Sequence, residues 1–198
     1  MIDSTPANEL PALSPALERL RAHVLQYSVK HGEFVLKSGA TSSWFLDTKQ
    51  TACRAEGIIA ATDAFMEAFE DVLGQIDAIG GLTMGSDPVA YGMAAIAATR
   101  GHHLRSFSVR KEAKMGGITG RIAGALQPGD RVLVTEDTTT RGTSLMEAAE
   151  QVEAYGAIPV WMTVLVDRGG TCAAMAAERG IDYRPLLTAP DIGFGYGT

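Results

Sequence analysis

Cysteine is scarce in this 198-residue chain, which has only Cys53 and Cys172. They lie far apart and lack CxxC spacing, so neither a disulfide framework nor a zinc site is expected. Both read as small buried hydrophobes in a reducing compartment. A basic surplus is missing too. The 17 basic side chains face 23 acidic ones, giving a formal charge of -6, and such a field repels nucleic acid and polyanionic membrane surfaces. It leaves room for a small anionic substrate, because a local basic cluster outweighs the global charge. No apolar run approaches the length of a membrane span. The first residues lack a basic region followed by an apolar stretch, so no signal peptide is expected and the cytoplasm is the default location. Linkers, repeats and low-complexity tracts are also lacking. One domain over residues 1–198 is therefore expected, with residues 1–13, rich in Pro, Ser and Ala, as a loose leader.

The apolar fraction of 46% and charged fraction of 20% are those of a globular chain with a substantial core. Leu17, Leu20, Val24 and Tyr27 recur at helical spacing, as do Ile58, Thr62, Phe65 and Phe69. Short strands are expected at residues 33–36 and 44–47, around a turn at Lys37, Ser38 and Gly39. Strands at residues 76–79, 104–109, 132–134, 158–166 and 183–187 then alternate with helices at 89–98, 145–155 and 173–178. Gly156 should end the second of these helices. Such alternation implies an α/β fold, with a mostly parallel central sheet flanked by helices on both faces. Ligands of such folds bind beyond the carboxyl ends of the strands. Residues 110–124 break the rhythm, being charged and Gly-rich without an apolar period.

Chemistry concentrates where the strand Val132, Leu133, Val134 runs into Glu136 and Asp137. The hydroxyl-rich turn Thr138, Thr139, Thr140, Arg141, Gly142, Thr143, Ser144 follows, and then a helix. Donors at a helix N-terminus favour a phosphate, and carboxylates one step earlier can accept hydrogen bonds from sugar hydroxyls. The plain alternative is an acidic strand end followed by an N-cap turn, with Thr143 or Ser144 as the cap. A second constellation, Arg110, Lys111 and Lys114, enters the stretch Gly116, Gly117, Gly120. It suits a mobile loop closing on a polyanion, or else a solvated basic turn. A Walker A motif is absent. The run GFGYG at residues 193–197 has no helix after it and reads as a tail, not a dinucleotide fingerprint. His23, His31, His102 and His103 show no metal spacing. Met84, Met93 and Trp161 read as packing residues.

The string from Val132 to Ser144 resembles the signature of the type I phosphoribosyltransferases. VRKEAK (residues 109–114), a Gly-rich loop and PGDRVLVTED (128–137) narrow the resemblance to the orotate phosphoribosyltransferase family. GEFVLKSG (32–39), SWFLD (43–47), GGLTMGSDPVA (80–90) and VDR (166–168) extend it over most of the chain. The resemblance implies a type I phosphoribosyltransferase fold with a small N-terminal hood. It implies transfer of phosphoribose from phosphoribosyl pyrophosphate (PRPP) to orotate, and a homodimer in which the mobile loop completes the partner's site. Mg²⁺ would be held mainly by the substrate. Lys37, Arg110, Lys111 and Lys114 would grip PRPP, with Lys114 the catalytic side chain. Glu136 and Asp137 would hold the ribose, and Thr138, Thr139, Thr140, Arg141, Gly142, Thr143 and Ser144 the 5-phosphate. Thr140, Arg168 and Phe45 would contact orotate.

Two departures from the family pattern involve three positions. Gly116 stands where a His is usual, and Arg141 and Thr143 replace small residues of the phosphate loop. Two further readings stay open at this level. One is transfer to another base, which the match of Arg168 to an acidic base opposes. The other is a regulatory PRPP-binding protein that has lost catalysis.

Overall fold

The computed structural model describes residues 10–35, 39, 41–114 and 120–197. Most of the expected leader, and Lys37 with its turn neighbours Leu36, Ser38 and Ala40, lie outside these residues. So do residues 115–119, including Gly116 and Gly117.

Helix α1 (Pro15–His23) opens on Ser14, whose Oγ accepts a hydrogen bond from Leu17 N, with Pro15 preset for the first turn. The helix expected through Tyr27 stops earlier. A π-helical turn, Val24–Ser28, follows it and turns Ser28 inward, where its Oγ lies 2.7 Å from Thr51 Oγ1. The chain then enters β1 (Val29–Val35), which pairs antiparallel with β2 (Thr41–Leu46) as a separate two-stranded sheet. In β2 the buried residues alternate, Ser42, Trp44 and Leu46 pointing in and Thr41, Ser43 and Phe45 out. A four-residue helix, α2 (Lys49–Ala52), was too short to show any period. It is capped by Cys53, which is exposed and so not the buried hydrophobe expected; Cys172 is buried.

Helix α3 (Ala55–Ala68) leads to β3 (Ala78–Leu82), α4 (Ser86–Ala98), β4 (Arg105–Lys114) and β5 (Gly120–Gly124). After them come β6 (Arg131–Thr139), α5 (Thr143–Tyr155), β7 (Ile158–Asp167) and α6 (Cys172–Glu178). Two short pieces, β8 (Asp182–Tyr183) and β9 (Leu187–Thr188), replace the single last strand expected; both pair with β7. The main sheet has the order β5-β4-β3-β6-β7-β8, and every pairing is parallel except β4 with β5.

Residues 110–124 are thus not irregular throughout. Val109 faces Ile122 and Lys114 faces Gly120 across an edge hairpin, with a bulge between the two pairs. Lys111, Glu112 and Ala113 are exposed, so this part of the edge strand carries no apolar alternation to read. Charge on an edge also blunts strand pairing with other chains.

Alternation along the central strands sends residues to two cores. Ile79, Leu133, Trp161 and Leu165 pack with α1, α3 and α4 on one face. Ala78, Val132, Val134, Met162 and Val164 pack with α5 and α6 on the other. The carboxyl ends of β3, β6 and β7 therefore emerge side by side, opposite the hood formed by β1 and β2. Of the expected packing residues, Met93 and Trp161 are buried, but Met84 is 65% exposed because it sits on the loop after β3 and not within an element.

Phe65 of α3 is fully buried beside Phe69, with ring centroids 5.4 Å apart. Phe65→Ala should cost about 3–5 kcal/mol, as large-to-small core changes of aromatic residues do. Urea denaturation would measure it. A loss below about 1 kcal/mol would show that this face of the core is not close-packed.

Candidate functional site

Strand β6 carries Glu136 and Asp137 to its carboxyl half, where both are buried. Asp137 is held from the hood side. Its Oδ2 accepts hydrogen bonds from Thr48 Oγ1 at 2.9 Å and Lys49 Nζ at 2.7 Å, and its Oδ1 accepts one from Thr138 N. Glu136 Oε1 accepts only a 3.2 Å bond from Asp137 N among the bonds described. The two acids are thus unequal. Burial, then the charge of Asp137, pushes the Glu136 carboxyl up to about 8. Burial pulls Lys49 down, but the hydrogen bond to Asp137 and the charges of Asp137, Glu136 and Asp47 together hold it above its ordinary value.

The loop after β3 passes directly over this pair. A Cβ at Gly85 would lie 1.8 Å from Glu136 Oε1 and 2.5 Å from Asp137 Oδ1, so a larger residue would have to displace one of the two carboxylates. Beyond Gly85, Asp87 gathers the hydroxyls of Thr83, at 2.6 Å, and Ser108, at 2.5 Å.

After β6 the hydroxyl-rich turn closes on itself, Gly142 N donating to Thr139 Oγ1 at 2.9 Å. Gly142, in the left-handed conformation, occupies the N-cap position of α5, and no side-chain cap bond is made there. Neither Thr143 nor Ser144 is the N-cap residue. The first-turn donors of a 13-residue helix face the turn without a side-chain cap, an arrangement suited to an anion.

Arg168 follows the end of β7. Asp167 shapes the turn beneath it: Oδ1 accepts from Gly169 N and Gly170 N, both at 2.9 Å, and Oδ2 from Tyr183 OH at 3.0 Å. Burial and the Asp167 charge push the Tyr183 phenol far up, so it stays a donor. The same causes push the Cys172 thiol up to about 11, which leaves it unreactive. A Cβ at Gly169 would lie 1.6 Å from Thr140 O. The Arg168 turn and the hydroxyl-rich turn therefore pack backbone against backbone, and Arg168 N donates to Thr139 O at 2.8 Å. The guanidinium lies 4.3 Å from the Trp44 ring centroid, and burial lowers its pKa.

These parts meet around one cavity of about 680 Å³, lined by Val35, Phe45, Leu46, Asp47, Thr48, Lys49, Asp137, Thr138, Thr140, Arg141, Arg168 and Gly197. Of the residues singled out in the sequence it gathers Phe45, Asp137, Thr138, Thr140, Arg141 and Arg168. Glu136 is buried next to Asp137, and Thr139 and Gly142 are buried in the turn. Arg110 lines a different cavity, of about 480 Å³, with Gly120, Arg121 and Tyr155. Lys111 is exposed on β4, and Lys114 is that strand's last residue. Lys37 falls outside the described residues. Sequence reasoning missed Thr48, Lys49, Gly85 and Trp44. A charged residue two positions beyond Asp47 was the one signal for Lys49, and nothing in the sequence paired it with an acid 88 positions away.

No protein-family model matches the chain. It is 37% identical over 167 residues to the orotate phosphoribosyltransferase of Streptomyces avermitilis, covering 84% of this chain and 91% of that one. Its structure is similar to that of Mycobacterium tuberculosis H37Rv orotate phosphoribosyltransferase in complex with Fe(III) dicitrate. The TM-score is 0.82, with 32% identity over 91% of this chain and all of that one. The same enzyme in complex with PRPP matches with a TM-score of 0.77 and 29% identity, over 91% of this chain and 100% of that one.

Glu136 offers a test of the electrostatics. It keeps its proton up to about pH 8 when folded, whereas the ordinary value is 4.5. Between those values the folded state binds the extra proton, so stability falls as pH rises through this window and levels off above it. Glu136→Gln stays neutral throughout. Relative to that variant, wild type should lose at least about 1 kcal/mol between roughly pH 5 and pH 8, read from urea midpoints. A constant difference across the window would show that Glu136 is already ionised in the folded protein.

Proposed function

Because the chain belongs to the orotate phosphoribosyltransferase family, we propose that it transfers the phosphoribosyl group of PRPP to orotate, giving orotidine 5′-monophosphate and pyrophosphate for pyrimidine biosynthesis. One observation carries this reading. Asp137 of the buried acid pair, Thr138, Thr140 and Arg141 of the turn that leads into the uncapped helix α5, and the partly buried Arg168 line one cavity. That is the complement of a ribose, a phosphate and an acidic base joined in that order.

In the reaction, a ring nitrogen of orotate forms a bond to the anomeric carbon as the bond from that carbon to the pyrophosphate oxygen breaks. Positive charge develops on the sugar, and the electron pair leaves with pyrophosphate. Glu136 and Asp137 hold the ribose hydroxyls, with Asp137 kept in place by Thr48 and Lys49. Thr138, Thr139, Thr140, Arg141, Gly142, Thr143 and Ser144 wrap the 5-phosphate. Arg141 is exposed at the cavity rim, a place where it adds charge to the phosphate site without filling it. Arg168 pairs with the orotate carboxylate, Thr140 bonds the ring and Phe45 packs beside it.

Arg110, Lys111, Lys114 and Lys37 engage the pyrophosphate side, with Lys114 placing charge where the leaving group becomes more negative. Mg²⁺ held mainly by the substrate would neutralise the pyrophosphate. The donor chemistry fits that arrangement, since Asp137 is paired with Lys49 and Glu136 carries its own proton. Arg110 and Lys111 stand away from the main cavity in this chain, which supports a homodimer whose edge hairpin serves the partner's site. No described helix is long and apolar enough to cross a membrane, and a cytoplasmic biosynthetic enzyme is the setting we propose.

An assay of pyrophosphate release from PRPP and Mg²⁺ with a panel of bases tests the reading, and orotate should be the preferred acceptor. Arg168→Ala should raise the KM for orotate by about 10- to 100-fold, the worth of a charge-assisted hydrogen bond, and change that for PRPP much less. Preference for a base without a carboxylate would overturn the substrate assignment. For the shared site, Lys114→Ala and Asp137→Asn should each lower kcat by a factor on the order of a hundred or more. Mixing the two should restore activity through one intact hybrid site. No recovery after demonstrated subunit exchange would exclude a loop acting in the partner.

A further inference from the structure

The glycine-rich segment 193–197 is not a bystander. Gly193, in the left-handed conformation, ends a short 3-10 turn, and Phe194 N is tied to Ala189 O at 3.0 Å. From there the segment folds back over the end of β7. The Phe194 ring stacks on Trp44, with centroids 3.9 Å apart and planes 11° from parallel. Trp44 is in turn the ring beside the Arg168 guanidinium. Tyr196 covers the turn next to Arg168, its ring standing about where a Cβ on Gly170 would make a 3.0 Å contact. Gly197 N donates to Arg168 O at 3.0 Å, and Gly197 lines the main cavity.

We propose that this segment, chiefly through Phe194, positions Arg168 and so sets the enzyme's preference for an acidic base. The inference rests on the reading of Arg168 as the orotate contact. An arginine side chain has several rotatable bonds, and fixing it for a bidentate contact is costly in entropy unless the fold has already done so. Trp44 offers it a flat electron-rich platform. That platform belongs to the two-stranded hood, which is a separate sheet but shares a core with the body through Trp44 and Leu46 and is tied to β6 through Thr48 and Lys49. Phe194 adds the stacked contact on the indole itself: its chain is anchored beside β9, and its ring lies nearly parallel to that of Trp44. The column Phe194–Trp44–Arg168 links the end of the main sheet, the hood and the base-binding cation. Phe194 is not among the residues that line the main cavity and acts as a positioning residue.

Steady-state kinetics of Phe194→Ala, Phe194→Tyr and Tyr196→Ala in the full chain test this. Phe194→Ala should raise the KM for orotate about tenfold, equivalent to roughly 1.4 kcal/mol, and leave the KM for PRPP within about twofold. It should also narrow the preference for orotate over uracil. Phe194→Tyr keeps the stack and should stay near wild type. Tyr196 is 49% exposed, so Tyr196→Ala should fold even if Phe194→Ala does not, and should show a smaller rise confined to orotate. Unchanged orotate KM values in the folded variants would overturn the proposal, as would equal rises for both substrates. Wild type lacking orotate-dependent pyrophosphate release would instead overturn the functional reading on which it rests.

Discussion

Burying two carboxylates one peptide bond apart carries a desolvation cost that has to be met locally, and around Glu136 and Asp137 much of the site is arranged to meet it. Charge repulsion and burial together favour one proton on the pair, and the proton falls to Glu136, which lacks a cation of its own in the bonds described. Asp137 keeps Lys49 and Thr48 instead. Those two residues belong to the segment joining the hood to the body of the protein, so the electrostatics of β6 also dock the hood. The same crowding favours glycine at position 85, where a Cβ on the β3 loop would meet both carboxylates. Ionisation state, hood position and loop approach are three consequences of one buried pair.

A second set of constraints lies at the end of β7, and it is mainly a matter of backbone geometry. Asp167 spends its carboxylate on two backbone N–H groups and a tyrosine hydroxyl, which bends the chain sharply after Arg168. Gly169 then presses on Thr140 O. The turn that would hold the phosphate and the turn that would hold the base are thereby fixed to one another. Geometry of this kind suits a substrate pair whose reacting atoms must be brought into line, because orientation alone can supply a large part of a barrier reduction. The hydroxyl-rich turn retains this contact with Arg141 and Thr143 exposed and Gly142 in the left-handed N-cap position.

Much of this was legible in the chain order. Apolar periodicity marked α3, β6, α5 and β7, because long elements packed on one or both faces repeat their pattern several times. The sudden change from Val132, Leu133 and Val134 to Glu136 and Asp137 marked the strand end where chemistry sits. What failed to register was short or lacked an apolar period: the four residues of α2, the π-helical turn, the divided last strand and the edge hairpin. The hairpin was read as irregular because solvated residues from 111 to 113, in the bulge between the Val109–Ile122 and Lys114–Gly120 pairs, carry no alternation.

By itself, then, the sequence determined the fold class, the order of the longer strands and helices, and the residue types of the acid pair and of the hydroxyl-rich turn after it. Each of these is written in local spacing, and local spacing is what side-chain periodicity and turn chemistry report. Only the tertiary structure decided that Lys49 pairs with Asp137, that Gly85 stands against the carboxylates of Glu136 and Asp137 and Gly169 against Thr140 O, and that Phe194 and Trp44 build a column under Arg168. Those partners are separated by tens to more than a hundred residues. Which distant side chains meet is set by how hood, sheet and C-terminal segment pack, and sequence spacing carries no record of that.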